Sequence, residues 1–288
     1  MVKTSKEQIE MLRTREEKAR KPPCKRANNL NGNTWLIYSI SVWNDISKTS
    51  EEAKLKHPAM FPKELPKRLI EIFLTEDKKY VLDPFMGVGS TLLAAKELGK
   101  HGIGFEISRK YAKIAEERIK SQPNLFADKD IPQTIYIDDA RNIDQYLQNE
   151  SIDLVITSPP YWDILSEKRT ADQKAIRNYH KKEGNLGEIH DYNVFLDELK
   201  IIFGKVFNIL KKGSYCIVVV MDIRKRDKYY PFHMDVAKFM QEIGFILDDI
   251  IIWDRRKEYN NLRPLGYPFV FRVNKIHEYI LIFLKPAK

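Results

Sequence analysis

Helical and strand-like patterns alternate along most of this chain, and the alternation limits the possible folds more than any other feature. Amphipathic helices are predicted at 63–74, 90–98, 108–121, 192–210 and 231–243. Short apolar segments typical of strands lie at 80–83, 102–106, 134–138, 152–157, 214–221, 246–253 and 276–284. Strands that alternate with helices favour an α/β fold with a doubly wound, mostly parallel sheet. We therefore predict about seven strands, with Gly213 at the position where glycine commonly ends a helix.

The start of the chain differs in composition from the rest. Residues 1–30 hold nine lysines and arginines against four glutamates, and their spacing predicts a helix near 5–20 that ends before a proline pair. We interpret 1–33 as a basic arm, which is either a solvated tail or a nucleic-acid contact. Residues 34–43 are apolar, aromatic and β-branched, and they predict a further strand.

Overall composition narrows the class of protein. Lys and Arg number 49 against 40 for Asp and Glu, which gives a formal net charge of +9 and favours an anionic partner or a strongly solvated surface. Two cysteines exclude a disulfide framework and a four-cysteine zinc site, and they fit the cytoplasm, where we expect the protein. No apolar stretch reaches about 20 residues, so no membrane span is predicted. The histidines lack metal-ligand spacing, so we expect no metal.

A glycine turn joins a predicted strand to a predicted helix over the sequence DPFMGVGST, residues 83–91. Glycines let the backbone approach a ligand closely, and the start of a helix offers free N–H groups. The turn is neither a dinucleotide-binding motif nor a phosphate-binding loop, since Leu92 replaces the third glycine and no Gly-Lys-Ser/Thr follows. Asp83 repels a pyrophosphate and attracts a ligand ammonium group. Packing of the strand against the helix is the alternative explanation for the glycines.

Two further acidic residues follow neighbouring predicted strands. Glu106 lies 19 residues after Gly87, which is close to the spacing at which a carboxylate binds ribose hydroxyls. Asp139, followed by Ala140, comes after strand 134–138, where a carboxylate can accept a hydrogen bond from an adenine amino group. A helix cap and an Asp-based turn are the alternatives for these residues.

The segment TSPPYW, residues 157–162, directly follows strand 152–157. Its two prolines fix φ and lack N–H groups, so the preceding carbonyls cannot enter a normal helix. The Ser158 hydroxyl and the Pro159 carbonyl are acceptors beside the aromatic ring of Tyr161. This set suits an exocyclic amino group on a planar base.

Together these motifs resemble the S-adenosyl-L-methionine (SAM)-dependent amino-methyltransferases of DNA. The Ser-Pro-Pro-Tyr form resembles the N4-cytosine group, since adenine-N6 enzymes more often carry Asp or Asn at the first position. The segments 57–62, 210–213 and 277–279 agree with the family, and the resemblance covers about residues 35–288. The cofactor motif precedes the catalytic motif, as in a circular permutation. Val88 and Ser90 depart from the common pattern and leave open whether Ser90 or Thr91 contacts the methionine carboxylate.

The resemblance implies a seven-stranded methyltransferase sheet with an antiparallel last strand, SAM as cofactor and double-stranded DNA as substrate, methylated by base flipping. It also implies a restriction-modification system with a cognate restriction endonuclease. The implied catalytic residues are Ser158, Pro159, Pro160 and Tyr161. The implied cofactor-binding residues are His57, Phe61, Asp83, Phe85, Gly87, Gly89, Ser90, Thr91, Glu106, Ile107, Asp139, Ala140 and Ser158.

In this interpretation the catalytic domain spans 34–288 and carries DNA-recognition insertions at about 163–190 and 254–275. Basic residues of the arm and of 224–226 are further candidates for DNA contact. The 254–275 insertion combines six basic residues with Tyr259, Tyr267, Phe269 and Phe271, a mixture suited to phosphates and bases. The alternatives are adenine-N6 methylation, RNA methylation and a non-catalytic DNA-binding subunit.

Overall fold

The computed structural model describes residues 26–55, 60–123, 131–164, 185–258 and 262–288. Its α-helices are α1 Gly32–Tyr38, α2 Ser50–Lys54, α3 Glu64–Phe73, α4 Ser90–Glu97, α5 Arg109–Ser121, α6 Tyr192–Ile209 and α7 Phe232–Ile243. Its strands are β1 Val42–Trp43, β2 Tyr80–Asp83, β3 His101–Phe105, β4 Thr134–Tyr136, β5 Ile152–Thr157, β6 Leu210–Val220, β7 Ile223–Lys225, β8 Lys228–Tyr230, β9 Ile246–Asp254 and β10 His277–Leu284. Short 3-10 helices cover Ala140–Gln145, Leu186–Glu188 and Arg256–Glu258. The predicted helix near 5–20, most of the basic arm and most of the 163–190 insertion lie outside the described residues.

The main sheet has the strand order β1-β9-β10-β6-β5-β2-β3-β4. Neighbouring strands are parallel from β6 to β4 and between β1 and β9, whereas β10 is antiparallel to both of its neighbours. This confirms the predicted mostly parallel α/β sheet with an antiparallel last strand. In the described part of the chain the sheet has eight strands rather than seven, because the two-residue β1 pairs along the outer edge of β9. A hairpin of β7 and β8, which the sequence analysis did not predict, forms a second small sheet.

The predicted strand at 34–43 is wrong over most of its length. Residues 32–38 form α1, whose N-terminus is capped by the Asn31 side chain, which accepts a hydrogen bond from the Thr34 N–H. No side chain of α1 is buried, so these residues do not gain the sheet packing through which β-branched and aromatic side chains favour a strand. Only Val42 and Trp43 pair as a strand, and Trp43 is buried.

Gly213 does not end helix α6, contrary to the prediction. The chain leaves the helix at Leu210, whose backbone is extended, and enters β6 directly. Gly213 lies inside β6 with φ +68°, and its N–H donates to the carbonyl of Lys285 at 2.9 Å. The glycine therefore serves an irregular position in a strand, where a left-handed backbone favours it.

Side chains on the central strands alternate between two apolar layers. Leu154 and Ile156 pack with helix α3 on one face of the sheet, while Val155 and Cys216 pack with α6 and α7 on the other. Cys216 is fully buried in the second of these layers. This packing brings the carboxyl ends of β2, β3, β5 and β6 to one edge, where the predicted motifs begin. None of the described helices is long and apolar enough to cross a membrane.

Candidate active site

Asp83 ends β2 at the carboxyl edge of the sheet and ties three elements together. Its buried carboxylate accepts hydrogen bonds from the Phe85 N–H at 3.1 Å, the Thr91 hydroxyl at 2.6 Å and the Thr157 hydroxyl at 2.7 Å. These donors lie on the glycine turn, on α4 and at the end of β5. Burial raises the pKa of Asp83 to about 6, although all three hydrogen bonds oppose the shift.

Glycine is required at the two positions of the turn for different structural reasons. Gly87 has φ +54°, and its N–H donates to the Glu106 carboxylate. Gly89 has φ +79° and caps the start of α4. A Cβ at Gly89 would lie 2.9 Å from the Cβ of Ala115 on α5. Gly89 therefore lets α5 pack closely, whereas Gly87 places a backbone donor beside the end of β3.

Glu106 follows β3 with its side chain 6% exposed. Its carboxylate accepts hydrogen bonds from the backbone N–H groups of Ser108, at 2.7 Å, and Gly87. Burial raises the pKa of Glu106 to about 7, and the nearby Asp83 carboxylate adds to the rise. Since burial disfavours both charges, a cation or a hydroxyl donor placed beside these two carboxylates would stabilise their ionised forms.

A pocket opens between the glycine turn and residues 157–162, which we call the catalytic segment after their predicted role. It is lined by Met60, Phe61, Phe85, Met86, Gly87, Val88, Ser90 and Ser158. The Ser90 hydroxyl is buried and has no hydrogen-bond partner, whereas the neighbouring Thr91 hydroxyl donates to Asp83. Of the two hydroxyls that the sequence left open, Ser90 is thus the one positioned for a ligand. His57, predicted for the same pocket, lies outside the described residues.

Asp139 and Ala140 begin the 3-10 helix that follows β4. The Asp139 carboxylate accepts from the guanidinium of Arg141, with Nη2 at 2.7 Å and Nε at 3.0 Å, and from the Arg141 N–H. Arg141 also pairs with Glu198 of α6 at 3.0 Å. An adenine contact by Asp139 stays a prediction, and it requires the carboxylate to serve a ligand and Arg141 together. Ala140 is buried, and Ile107 is half-buried next to Glu106.

Ser158 and Tyr161 form the polar part of the catalytic segment after β5. The Tyr161 hydroxyl donates to the Glu278 carboxylate at 3.0 Å and lies 3.2 Å from the Ser158 hydroxyl oxygen. A tyrosine hydroxyl has one proton, so Ser158 must donate to Tyr161 in this arrangement. The lone pairs of Ser158 are then left to accept a hydrogen bond from a ligand in the pocket. Burial, assisted by the charge of Glu278, raises the pKa of Tyr161 well above its usual range.

Glu278 was not predicted as a site residue, although its segment was noted for resemblance. It is 5% exposed at the start of β10 and pairs with Arg255, which also pairs with Glu258 at 2.6 Å. A carboxylate at the head of an otherwise apolar strand was the available signal. Thr157 was likewise missed, because its contact with Asp83 crosses from one strand end to another.

The basic run 224–226, a predicted DNA contact, is divided by the β7–β8 hairpin. Arg224 and Arg226 are exposed. Lys225 instead turns inward, where its ammonium group lies 2.6 Å from the Asp163 carboxylate and 4.2 Å from the centre of the Trp162 ring. Lys225 therefore supports the catalytic segment, and the two arginines remain candidates for phosphate contact.

The N6_N4_Mtase family of DNA methylases matches residues 2–117 and 152–288. The chain is 39% identical over 79 residues to type II methyltransferase M2.LlaDCHI of Lactococcus lactis subsp. cremoris, over 27% of this chain and 29% of that protein. It is 38% identical over 102 residues to type II methyltransferase M.HindIII of Haemophilus influenzae, over 31% of this chain and 32% of that protein. A solved SAM-dependent methyltransferase from Methanosarcina mazei aligns with 74% of this chain and 95% of its own, at 13% identity and a TM-score of 0.48.

The chain thus spans about a third or less of the length of these two curated relatives. The family match is far broader and includes both the glycine turn and the catalytic segment. The family name covers methylation at N6 and at N4 alike. Because the match extends over most of the chain, the protein belongs to the N6/N4 DNA methylase family.

Proposed function

We propose that this protein transfers a methyl group from SAM to the N4 amino group of cytosine in duplex DNA. The observation that carries the proposal is that Ser158 lines the same pocket as Gly87 and Ser90 of the cofactor turn. The hydroxyl that can accept from an amino group and the turn proposed to bind the methyl donor therefore lie in one pocket. The hydroxyl of Ser158 is held as an acceptor by Tyr161 and Glu278.

SAM is the cofactor of this family, and the residues of the pocket fit it. Asp83 and Glu106 are buried carboxylates at the strand ends next to the glycine turn, and both have raised pKa values that the positive charge of SAM would lower. In this proposal the Glu106 carboxylate accepts hydrogen bonds from the ribose hydroxyls of SAM. The unpartnered Ser90 hydroxyl is a donor for the methionine carboxylate. When bound, SAM supplies a methyl group on a positively charged sulfur, which an exocyclic nitrogen attacks directly.

The protein's own residues hold and orient the target base. The base must leave the helical stack, since its amino group is otherwise paired, and flipping costs a few kcal/mol. The Ser158 hydroxyl and the Pro159 carbonyl then accept hydrogen bonds from the amino group. These acceptors stabilise the positive charge that develops on the nitrogen, and a proton is lost to solvent after the transfer. Tyr161, fixed by Glu278, keeps Ser158 in place and offers its ring to the extruded base.

The choice of cytosine rests on the identity of residue 158. Cytosine and adenine both present an amino group beside a ring nitrogen, so the same acceptors serve either base. A neutral serine at this position resembles the N4-cytosine enzymes, whereas a carboxylate or amide is more usual in adenine-N6 enzymes. Adenine methylation is accordingly the outcome that overturns the choice of base.

The test is to digest DNA from cells that express the protein and to identify methylated nucleosides by mass spectrometry. Detection of N4-methylcytosine supports the proposal. Detection of N6-methyladenine alone shows that the proposed target base is wrong, although the protein would still be a DNA methyltransferase. Ser158→Ala should lower methyl transfer about ten- to a thousand-fold, if the lost contact is worth roughly 1.4–4 kcal/mol in the transition state, and should change SAM affinity far less than the rate. Ser121→Ala, at the exposed end of α5, is the matched control.

We extend the proposal to a restriction-modification system, because M2.LlaDCHI and M.HindIII are type II methyltransferases. In such a system, methylation blocks cleavage by a cognate restriction endonuclease. DNA isolated from expressing cells should resist one restriction endonuclease whose site contains the methylated sequence. Cleavage by every enzyme that reads the mapped site would contradict this part of the proposal.

A further inference from the structure

The connection between β9 and β10 carries large apolar side chains into solvent. Tyr267 is 77% exposed, Phe269 and Phe271 are each 91% exposed, and Val273 is 70% exposed. Single exposed apolar residues are common, but four within seven positions form a patch that typically marks an interaction site. We call residues 267–273 the aromatic tip.

The aromatic tip has a defined backbone. Gly266 has φ +78°, and its carbonyl accepts hydrogen bonds from the N–H groups of Phe269, at 2.9 Å, and Val270, at 2.8 Å. A Cβ at Gly266 would lie 2.0 Å from the Val270 carbonyl oxygen, so the turn requires glycine. The side chain of Asn274 donates to the Arg263 carbonyl at 2.8 Å and closes the base of the turn. These bonds present the phenylalanines outward without help from core packing.

The loop that carries the aromatic tip is anchored near the catalytic segment at both of its ends. It leaves β9 and enters β10 at the same sheet edge that carries Ser158 and Tyr161. Glu278, just after the loop, hydrogen-bonds Tyr161, and Arg255, just before it, pairs with Glu278. In the strand order, β10 and β9 lie on the opposite side of β5 from the cofactor turn. A base held between Ser158 and the cofactor would therefore have the loop on its other side.

The charges around the aromatic tip fit a polyanion. Arg256, Lys257 and Arg263 on the same loop are exposed. Lys275, at its end, lies over the Tyr229 ring of the β7–β8 hairpin at 5.2 Å, so the loop adjoins the exposed arginines 224 and 226. Basic side chains around exposed aromatic rings suit a DNA duplex, because its phosphates lie on the outside and the faces of its bases lie inside.

We propose that the aromatic tip enters duplex DNA beside the target base and that Phe269 and Phe271 stack on the bases exposed when the target flips. This inference rests on the proposed function, since it assumes a duplex substrate. Proteins that insert apolar side chains between bases offset the cost of unstacking by the new contacts. The tip thereby stabilises the flipped state, while Ser158 and Tyr161 hold the extruded base.

The test uses the double variant Phe269→Ala/Phe271→Ala of the full chain and two duplexes that contain the mapped target sequence. In one duplex the target base is normally paired, and in the other it is mispaired, so that flipping costs less. Single-turnover methyl transfer on the paired duplex should fall about 5- to 140-fold for each lost stack, which corresponds to 1–3 kcal/mol per base. The mispaired duplex should recover most of this loss. SAM affinity, measured by calorimetry, should be unchanged.

The control is Ile201→Ala/Ile246→Ala, since these side chains, on α6 and at the start of β9, are 52% and 49% exposed and lie outside the loop. It should leave both rates unchanged. An equal loss on both duplexes, or no loss on either, overturns the proposal. A change of oligomeric state in sedimentation, with normal DNA methylation, shows instead that the tip contacts a second copy. A wild-type protein inactive on both duplexes contradicts the proposed function itself, which an inactive variant alone does not.

Discussion

The buried negative charge of Glu106 destabilises the fold, whereas the same carboxylate is proposed to bind the cofactor. The substitution Glu106→Gln is predicted to separate these two effects. Burial raises the pKa of this carboxyl from 4.5 to about 7. The folded protein therefore binds the proton more tightly than the unfolded chain does. The stabilising effect of that proton is complete below pH 4.5 and is lost as the pH rises through 7. The two pKa values correspond to a loss of about 3 kcal/mol at 1.36 kcal/mol per pH unit.

Glutamine is neutral at every pH and does not suffer this loss. At pH 8 the variant should exceed the wild type in free energy of unfolding by roughly 1–3 kcal/mol, after about 1 kcal/mol is allowed for weaker hydrogen bonds from Ser108 and Gly87. Near pH 4.5 the advantage should vanish, because the wild-type carboxyl is then protonated as well. SAM affinity should fall by roughly 1–3 kcal/mol, since a carboxylate partner for the ribose hydroxyls is lost.

Urea unfolding at pH 5, 6.5 and 8 without SAM measures the first effect, and calorimetry at pH 8 measures the second. Glu242→Gln is the matched control, because Glu242 is exposed and Lys200 holds its pKa below the usual value. That variant should show no gain in stability at pH 8. A gain in Glu106→Gln of the same size at pH 5 and pH 8, or none at pH 8, would refute the argument from burial.

Three further predictions concern the stability of the fold, the positioning of Tyr161 and the binding of DNA. Gly89→Ala should lower the free energy of unfolding by about 2–4 kcal/mol through backbone strain and overpacking. Gly204→Ala should raise it by up to about 1 kcal/mol, because a Cβ added there, inside α6, has no atom within 4 Å. Urea unfolding of both variants measures these changes. Glu278→Ala should slow single-turnover methyl transfer about tenfold at unchanged SAM affinity, and Glu278→Gln should restore most of the rate, because an amide oxygen still accepts from Tyr161; equal loss in both variants would argue against a positioning role. DNA affinity should fall with salt at a log–log slope near −5 for about six phosphate contacts, and removal of residues 1–30 should make the slope shallower; an unchanged slope would indicate that the basic arm is a solvated tail.

The sheet was predictable because its signals are local. Apolar runs such as 152–157 and the amphipathic helix 192–210 show their secondary structure in the spacing of their own residues. The prediction at 34–43 was wrong because a local cap at Asn31 selects a helix where no partner strand is available. Gly213 was misread for a related reason, since the same glycine suits a helix end and an irregular strand. Which of the two forms depends on where the neighbouring strand pairs.

The candidate site was predictable where one segment supplies both the backbone and the chemistry. The glycine turn and the catalytic segment are of this kind. The contact of Tyr161 with Glu278 spans 117 residues of sequence, and its existence depends on the register of β10 against β6. Such a register is decided by packing of whole strands, so a single sequence does not reveal it. Long-range pairs of this type complete the site around its locally encoded parts.

Asp83 shows why the order of the motifs along the chain does not change what they can do. Its carboxylate receives the Thr91 hydroxyl from the cofactor half and the Thr157 hydroxyl from the catalytic half, 74 residues away. This bond requires only that β2 and β5 be neighbours in the sheet, which they are. Because the two strands meet in space, the chain can reach them in either order and still bring Ser158 to the pocket of the glycine turn. A cofactor-first arrangement therefore preserves the geometry that the proposed methyl transfer needs.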